Sequence, residues 1–352
     1  MTIASELKVA LHAEQLRAYL NQEQVVPVSL EMDITSRCNK GCHNCPSTLS
    51  EFQHDMDFAV IKNLFTQLKG RTKGLLISGG EPTLSPIFSD TLAEARKNEF
   101  EHIAVVSNGS LLGRRDVRDA LIRHGSVVRI SIYGWEDGPD RALQDIFEHI
   151  RLLRNEIEQT GSSLEIGMSL LTDRSNAAQI RHVVHAVKEA GAHWLYCHPR
   201  CEGWEDEFLV QLDQDGVVPS LERPDGQLNG FKVYYFPFRY QRGTLQFSKY
   251  HSGHFLMVLG ADGNLYLGTE TKYNPKHIIG HVDANWKLEN LFHESRLQAL
   301  NGMGSHSYFP IRGRHRGCLY NDLIEKLVRK ELSLETLNLR AKGMQLKFAN
   351  IL

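Results

Sequence analysis

Residues 33–46 read Asp33-Ile34-Thr35-Ser36-Arg37-Cys38-Asn39-Lys40-Gly41-Cys42-His43-Asn44-Cys45-Pro46. Three cysteines on one short loop, spaced Cys38-x3-Cys42-x2-Cys45, can hold three irons of a cubic 4Fe-4S cluster and leave the fourth iron open to another ligand. Zinc is the plainer alternative, but its usual knuckles are two Cys-x2-4-Cys pairs, and no second pair follows this loop nearby to complete four ligands. A disulfide framework belongs to small secreted chains, a class that 352 residues do not fit.

A second, independent motif lies downstream, where the apolar run Gly74-Leu75-Leu76-Ile77 leads into Ser78-Gly79-Gly80-Glu81-Pro82-Thr83. Together the two motifs resemble the radical S-adenosylmethionine (radical SAM) enzymes. The resemblance implies that Cys38, Cys42 and Cys45 bind a 4Fe-4S cluster whose open iron chelates the amino and carboxylate groups of S-adenosylmethionine. Gly79, Gly80, Glu81 and Pro82 would then contact the methionyl amino group. An electron from a flavodoxin- or ferredoxin-type donor would cleave the sulfonium to a 5'-deoxyadenosyl radical. One position departs from the pattern: before the third cysteine, where the family usually has an aromatic residue near the adenine, this chain has Asn44, preceded by His43.

The chain is long enough for one large domain with a smaller appendage. Its 41% hydrophobic and 23% charged residues are those of an ordinary globular protein. No apolar run approaches the roughly 20 residues that span a bilayer, and the N-terminus lacks a signal-peptide core. A net charge of −2 gives no basic stripe for a nucleic-acid polymer. The expectation is a cytoplasmic protein whose six cysteines serve metal rather than disulfides, without a nucleic-acid or membrane partner.

Working outward, residues 6–22 show helical spacing of Leu7, Ala10, Leu11, Leu16, Tyr19 and Leu20. They are too few for the leader-peptide-binding domain that many peptide-modifying radical SAM enzymes carry. From Val25, strands expected near 28–34, 74–78, 102–107, 127–133, 164–170 and 194–197 alternate with helices near 56–69, 86–98, 114–124, 139–160 and 176–190. Such alternation predicts a parallel sheet with helical crossovers. The α/β class follows from it, and the resemblance implies a partial (β/α)6 radical SAM barrel with a smaller α+β C-terminal domain. The expected divisions are an N-terminal helix (1–24), the barrel (25–201), the extension (202–321) and a helical segment (322–352). In similar enzymes the ends of the third, fourth and fifth strands contact cofactor ribose and carboxylate. Asn108, Ser131 and Ser169 stand at those levels, though a turn residue and two strand polar residues are an equally good generic reading of each.

After Cys201 the βα rhythm stops. Phe255–Gly268 reads as a hairpin around Asp262-Gly263, and the run Ile278–Val282, a helix near 288–300 and Gly317-Cys318 follow. This order resembles the SPASM or twitch extension of radical SAM enzymes, stripped of most of its cysteines. Three cysteines remain, Cys197, Cys201 and Cys318, with the first two expected at the exit of the sixth strand. They could hold an auxiliary 4Fe-4S cluster. Alternatively Cys201 or Cys318 donates a hydrogen atom to a substrate radical, as in radical epimerases, or all three are small buried hydrophobes. Histidines of the C-terminal half, among them His251, His254, His277 and His281, read first as satisfied polar side chains. The charged, apolar-spaced segment 322–352 reads as helices covering the barrel or a partner subunit.

The leading expectation is hydrogen abstraction from a small biosynthetic metabolite (a sugar, aminocyclitol or nucleoside), ending in dehydrogenation or epimerisation. Maturation of a peptide or protein side chain is the second reading, and a non-enzymatic iron-sulfur electron carrier the third.

Overall fold

The computed structural model describes residues 5–42, 45, 53–133, 135, 138–172, 176, 179–199, 227–228, 231–234, 245–304 and 316–352. They fall into two compact units, Met1–Ala104 with Thr244–Leu352, and Val105–Gly243.

The expected N-terminal helix is split in two. A 3-10 helix, Glu6–Leu11, is capped by Ser5, whose hydroxyl accepts from the Leu7 amide, and α1 (Ala13–Leu20) follows. Between them His12 leaves helical geometry (φ −95°, ψ 54°), and its Nε2 lies 3.1 Å from the Ala349 carbonyl.

Strands and helices then alternate as the periodicity predicts: β1 (Ser29–Asp33), α2 (Phe58–Leu68), β2 (Gly74–Ser78), α3 (Phe88–Lys97), β3 (His102–Ser107), α4 (Arg115–His124), β4 (Val127–Ile132), α5 (Arg141–Thr160), β5 (Glu165–Thr172), α6 (Ile180–Glu189) and β6 (Trp194–Pro199). Local chemistry sets the ends. Asp57 caps α2 by accepting from the Ala59 amide, and Asp140 caps α5 by accepting from that of Leu143. Gly161, at φ 65°, closes α5 in the left-handed conformation that glycine adopts without strain. Leu143, Ile146, Phe147, Ile150, Leu153 and Ile157 are the buried stripe of that helix, three to four residues apart.

The remaining elements are β7 (Gln227–Leu228), β8 (Phe231–Tyr234), β9 (Leu256–Leu259), β10 (Asn264–Tyr266), β11 (Ile278–His281), α7 (Glu294–Gly302), α8 (Arg316–Val328) and α9 (Leu334–Gly343).

In the first unit β1 pairs parallel with β2 on one side, Glu31 opposite Leu76 and Asp33 opposite Ser78. On its other side lies β9, also parallel, with Ser29 opposite Leu256. The hairpin expected around Asp262-Gly263 is present: β10 runs antiparallel to β9, the Asp262 carboxylate accepts from the Asn264 amide, and Gly263 sits at φ 78°. Through β9 the C-terminal residues therefore continue the sheet of the first strands. Leu323 and Leu327 of α8 and Leu334, Leu337 and Ala341 of α9 bury themselves with Leu7, Val9, Ala10 and Leu16. The two amphipathic terminal segments thus cover each other.

In the second unit β4, β5 and β6 are parallel, β8 joins β6 in parallel, and β7 turns back on β8. The succession is α/β, and parallel wherever the strands of the expected barrel are seen to pair.

Candidate active site

Both motif loops leave the C-terminal ends of neighbouring parallel strands, where α/β folds place their sites. The chain runs from β1 through buried Thr35 and Ser36 to Cys38, which is exposed, and to Cys42 and Cys45, which are half-buried. The foot of this loop is pinned on the segment that returns from it. Ser36 donates its amide to the His54 carbonyl at 2.8 Å and accepts the His54 amide on its hydroxyl at 2.7 Å. Met56 donates to the Ile34 carbonyl, and Arg37 pairs with Asp55 at 2.8 Å. The Lys40 amide lies 3.4 Å from Cys38 Sγ, a donor for a thiolate. His43 and Asn44 lie outside the described residues.

The glycine loop is laced to the same foot. The Gly80 amide donates to the Thr35 carbonyl at 2.9 Å, and the Glu81 amide to that of Arg37 at 2.8 Å. This approach explains both glycines. A Cβ on Gly79, whose φ is 132°, would stand 2.2 Å from the Thr35 carbonyl oxygen, and one on Gly80 would stand 2.1 Å from that of Arg37. Glu81 is fully buried and accepts from the Thr83 amide and hydroxyl, at 3.1 and 2.5 Å, while Pro82 opens the short turn Pro82–Leu84.

The donor set fits a 4Fe-4S cluster. None of the described cysteines is in a disulfide. Among the described residues no three His, Cys, Asp or Glu side chains converge on a point that would suit a single ion. A cube takes one thiolate at each of three corner irons, and Cys38, Cys42 and Cys45 supply three thiols that are in no disulfide.

The second unit holds the other expected contacts. Asn108 is buried at the end of β3, its side-chain oxygen accepting from the Ser110 amide, and Gly109 follows at φ 77°. Ser131 and Ser169 are register partners on adjacent strands and share a face with Arg129, Gly167 and Tyr196. Arg129 stands over the Tyr196 ring at 6.0 Å. The opposite face carries Ile130, Met168, Leu170 and Cys197. β6 runs on to Pro199, so Cys197 lies within the strand rather than at its exit, and burial pushes its thiol up to about 12. Cys318 is buried on α8, in the first unit, and Cys201 lies outside the described residues.

Sequence reasoning missed a buried charged network beside the motif loops. Lys272, which follows the 3-10 turn Thr269–Thr271, reaches Asp33 at 2.7 Å, Glu31 at 3.3 Å and the Ser78 hydroxyl at 3.2 Å. Tyr273 donates to the other Asp33 oxygen at 2.8 Å, Ser78 donates to Asp33 at 2.7 Å, and Thr269 donates to Glu31 at 2.8 Å. Burial opposes the Lys272 charge, but the carboxylates of Asp33 and Glu31 outweigh it and raise its pKa. Burial and the Asp33 charge likewise raise that of Tyr273. The available signal was the alternation of Glu31 and Asp33 with Leu30 and Met32 in β1, since buried carboxylates demand a partner. His251, by contrast, is the satisfied polar side chain expected, 2.6 Å from the Tyr19 hydroxyl and 2.8 Å from Glu325. No helix among the described residues is long and apolar enough to cross a membrane.

SuiB of Streptococcus suis, solved bound to the precursor peptide SuiA, superimposes with a TM-score of 0.61 at 12% identity, over 83% of this chain and 71% of SuiB. SuiB bound to S-adenosylmethionine gives 0.58 at 12% identity, over 82% and 72%. BtrN in complex with AdoMet and 2-DOIA gives 0.44 at 16% identity, over 79% and 89%. At such identities the likeness to SuiB shows the fold. No curated protein matches the sequence. The family model of the Radical SAM superfamily matches residues 32–175, which include both motif loops and β1 through β5 except for the first three residues of β1. The cysteine and glycine loops, laced together at the ends of adjacent parallel strands, both lie within the residues that match the Radical SAM superfamily model.

Proposed function

We propose that the protein is a radical SAM enzyme acting on a small polar metabolite of the sugar, aminocyclitol or nucleoside class, by dehydrogenation or epimerisation. The observation that carries the chemistry is the backbone lacing of Gly80 and Glu81 to Thr35 and Arg37, which sets the glycine loop against the foot of the three-thiol loop. Cys38, Cys42 and Cys45 hold the 4Fe-4S cluster in this reading. Bound there, the cluster supplies the electron that cleaves the sulfonium of S-adenosylmethionine to a radical able to take hydrogen from an unactivated carbon. The chain's own part is to bind and orient. The glycine loop receives the methionyl group, and Asn108, Ser131 and Ser169 receive the rest of the cofactor. The electron comes from a flavodoxin- or ferredoxin-type protein, and the reducing cytoplasm suits the cysteines.

In the second unit Arg129, Ser131 and Ser169 share one strand face, and these polar groups support a small polar substrate. Modification of a peptide side chain is the second reading, favoured by the likeness in fold to SuiB, which was solved with a precursor peptide. Reduced, reconstituted enzyme is expected to release 5'-deoxyadenosine faster with a small metabolite of the named class than with peptides. Acceleration by peptides alone would select the second reading.

Of the uses open to the further cysteines, we propose hydrogen donation by Cys318 or Cys201, with ligation of an auxiliary 4Fe-4S cluster by Cys197, Cys201 and Cys318 as the alternative; Cys197 and Cys318 are both buried. Cys318→Ala is expected to keep its iron, and, if Cys318 is the donor, to lose epimerised product. Loss of about one cluster per chain would instead assign the auxiliary site.

A further inference from the structure

We propose that the Lys272–Asp33 pair is a clamp that positions the cofactor-binding glycine loop, an inference that rests on the radical SAM reading of that loop. Asp33 is the last residue of β1 and Ser78 the last of β2, so the cysteine loop and the glycine loop depart from these two side chains. A single ammonium spans both, at 2.7 Å from the Asp33 carboxylate and 3.2 Å from the Ser78 hydroxyl, while Ser78 closes the triangle on Asp33 at 2.7 Å. Asp33 also backs the loop directly, since a Cβ on Gly79 would stand 3.3 Å from the Asp33 Cβ. Two residues past Asp33, the Thr35 carbonyl takes the Gly80 amide. The clamp therefore fixes the residues at which both loops begin.

The charge is an expensive way to fill this space. Lys272 is 6% exposed and Asp33 fully buried, and an ion pair so placed is often no more stabilising than well-packed apolar side chains of the same volume. What the pair adds is direction. The Asp33 carboxylate has its two oxygens committed, one to Lys272 and Ser78 and the other to Tyr273, so its rotamer is held by three donors. Lys272 and Tyr273 come from the C-terminal segment that follows the β9–β10 hairpin, which ties the SAM-binding loop to residues outside the segment matched by the family. Lys272 and Tyr273 are positioning residues here, acting on the cofactor through Asp33 and Gly79.

Two measurements on Lys272→Met and Tyr273→Phe test the clamp. In the reconstituted enzyme, Lys272→Met is expected to raise the KM for S-adenosylmethionine about tenfold or more with a smaller change in kcat for its cleavage, and Tyr273→Phe to raise it about threefold. In hydrogen exchange of the same proteins, the Gly80 and Glu81 amides are expected to lose protection in the same order, while the amides of α5 keep theirs. Melting at a lower temperature with wild-type KM and wild-type protection at these two amides would overturn the clamp and leave a merely structural ion pair. Should Lys272→Met fail to fold, Tyr273→Phe decides alone: unchanged KM and protection overturn the proposal. Wild-type enzyme that never cleaves S-adenosylmethionine would sink the functional reading instead, while the exchange result would still judge the clamp.

Discussion

Cys42→Ala is expected to abolish reductive cleavage of S-adenosylmethionine and to lower iron by about one cluster per chain. The effect is all-or-none because each thiolate serves a different iron, and a cube left with two protein ligands is no longer held on the loop. Iron determination and release of 5'-deoxyadenosine under strong reductant check the prediction together. Full iron with lost cleavage would point to a misplaced cofactor and not to a missing ligand. Gly41, one residue earlier, supplies the control: a Cβ there meets nothing within 4 Å among the described residues. Gly41→Ala should therefore stay within about 0.5 kcal/mol of wild type in stability and keep its iron.

The second large effect is expected of Gly79→Ala. Its φ of 132° is a region that L side chains rarely adopt, and the added methyl would stand 2.2 Å from the Thr35 carbonyl oxygen. That oxygen cannot step aside, because it is backbone and already accepts from Gly80. Backbone strain of this kind costs about 1–3 kcal/mol, and the clash adds to it. The loop must therefore lift off the cysteine foot, and S-adenosylmethionine affinity is expected to fall at least about a hundredfold by calorimetry, a loss of roughly 3 kcal/mol. Binding within threefold of wild type would show that the loop does not receive the cofactor.

Much of the framework could be read from the residues because it is written in local periodicity. Six alternating strand and helix patterns between Val28 and Cys197 reappear as β1 to β6 and α2 to α6 within a few residues. The Asp262-Gly263 hairpin was equally plain, since an Asp-Gly turn between apolar strands needs only near neighbours. The break at His12 was not. Helical spacing runs through it, and only a carbonyl from Ala349 shows why the imidazole turns aside. Strand partners were hidden for the same reason. That β9 lies beside β1 depends on matching two apolar runs far apart in the chain, and many runs would match equally well.

The site divides along the same line. Cysteine and glycine spacings disclosed the motif loops, but the Lys272 network stayed out of sight because nothing near Glu31 or Asp33 in sequence names their cation. Cys197 shows the cost of placing a residue by strand ends alone. The strand continues two residues beyond it, and alternation from Ser131 and Ser169 through Tyr196 sets Cys197 on the apolar face.

The central place of β1, flanked by β2 from the first residues and by β9 from the last third, has a consequence for biogenesis. On the ribosome the cysteine loop emerges early, yet one edge of its strand stays unpaired until residues 256–259 have been translated, and Asp33 waits still longer for Lys272. A nascent chain stalled before that point presents a naked apolar edge open to aggregation. The sheet of the first unit is therefore completed only when the strand at residues 256–259 has docked beside β1.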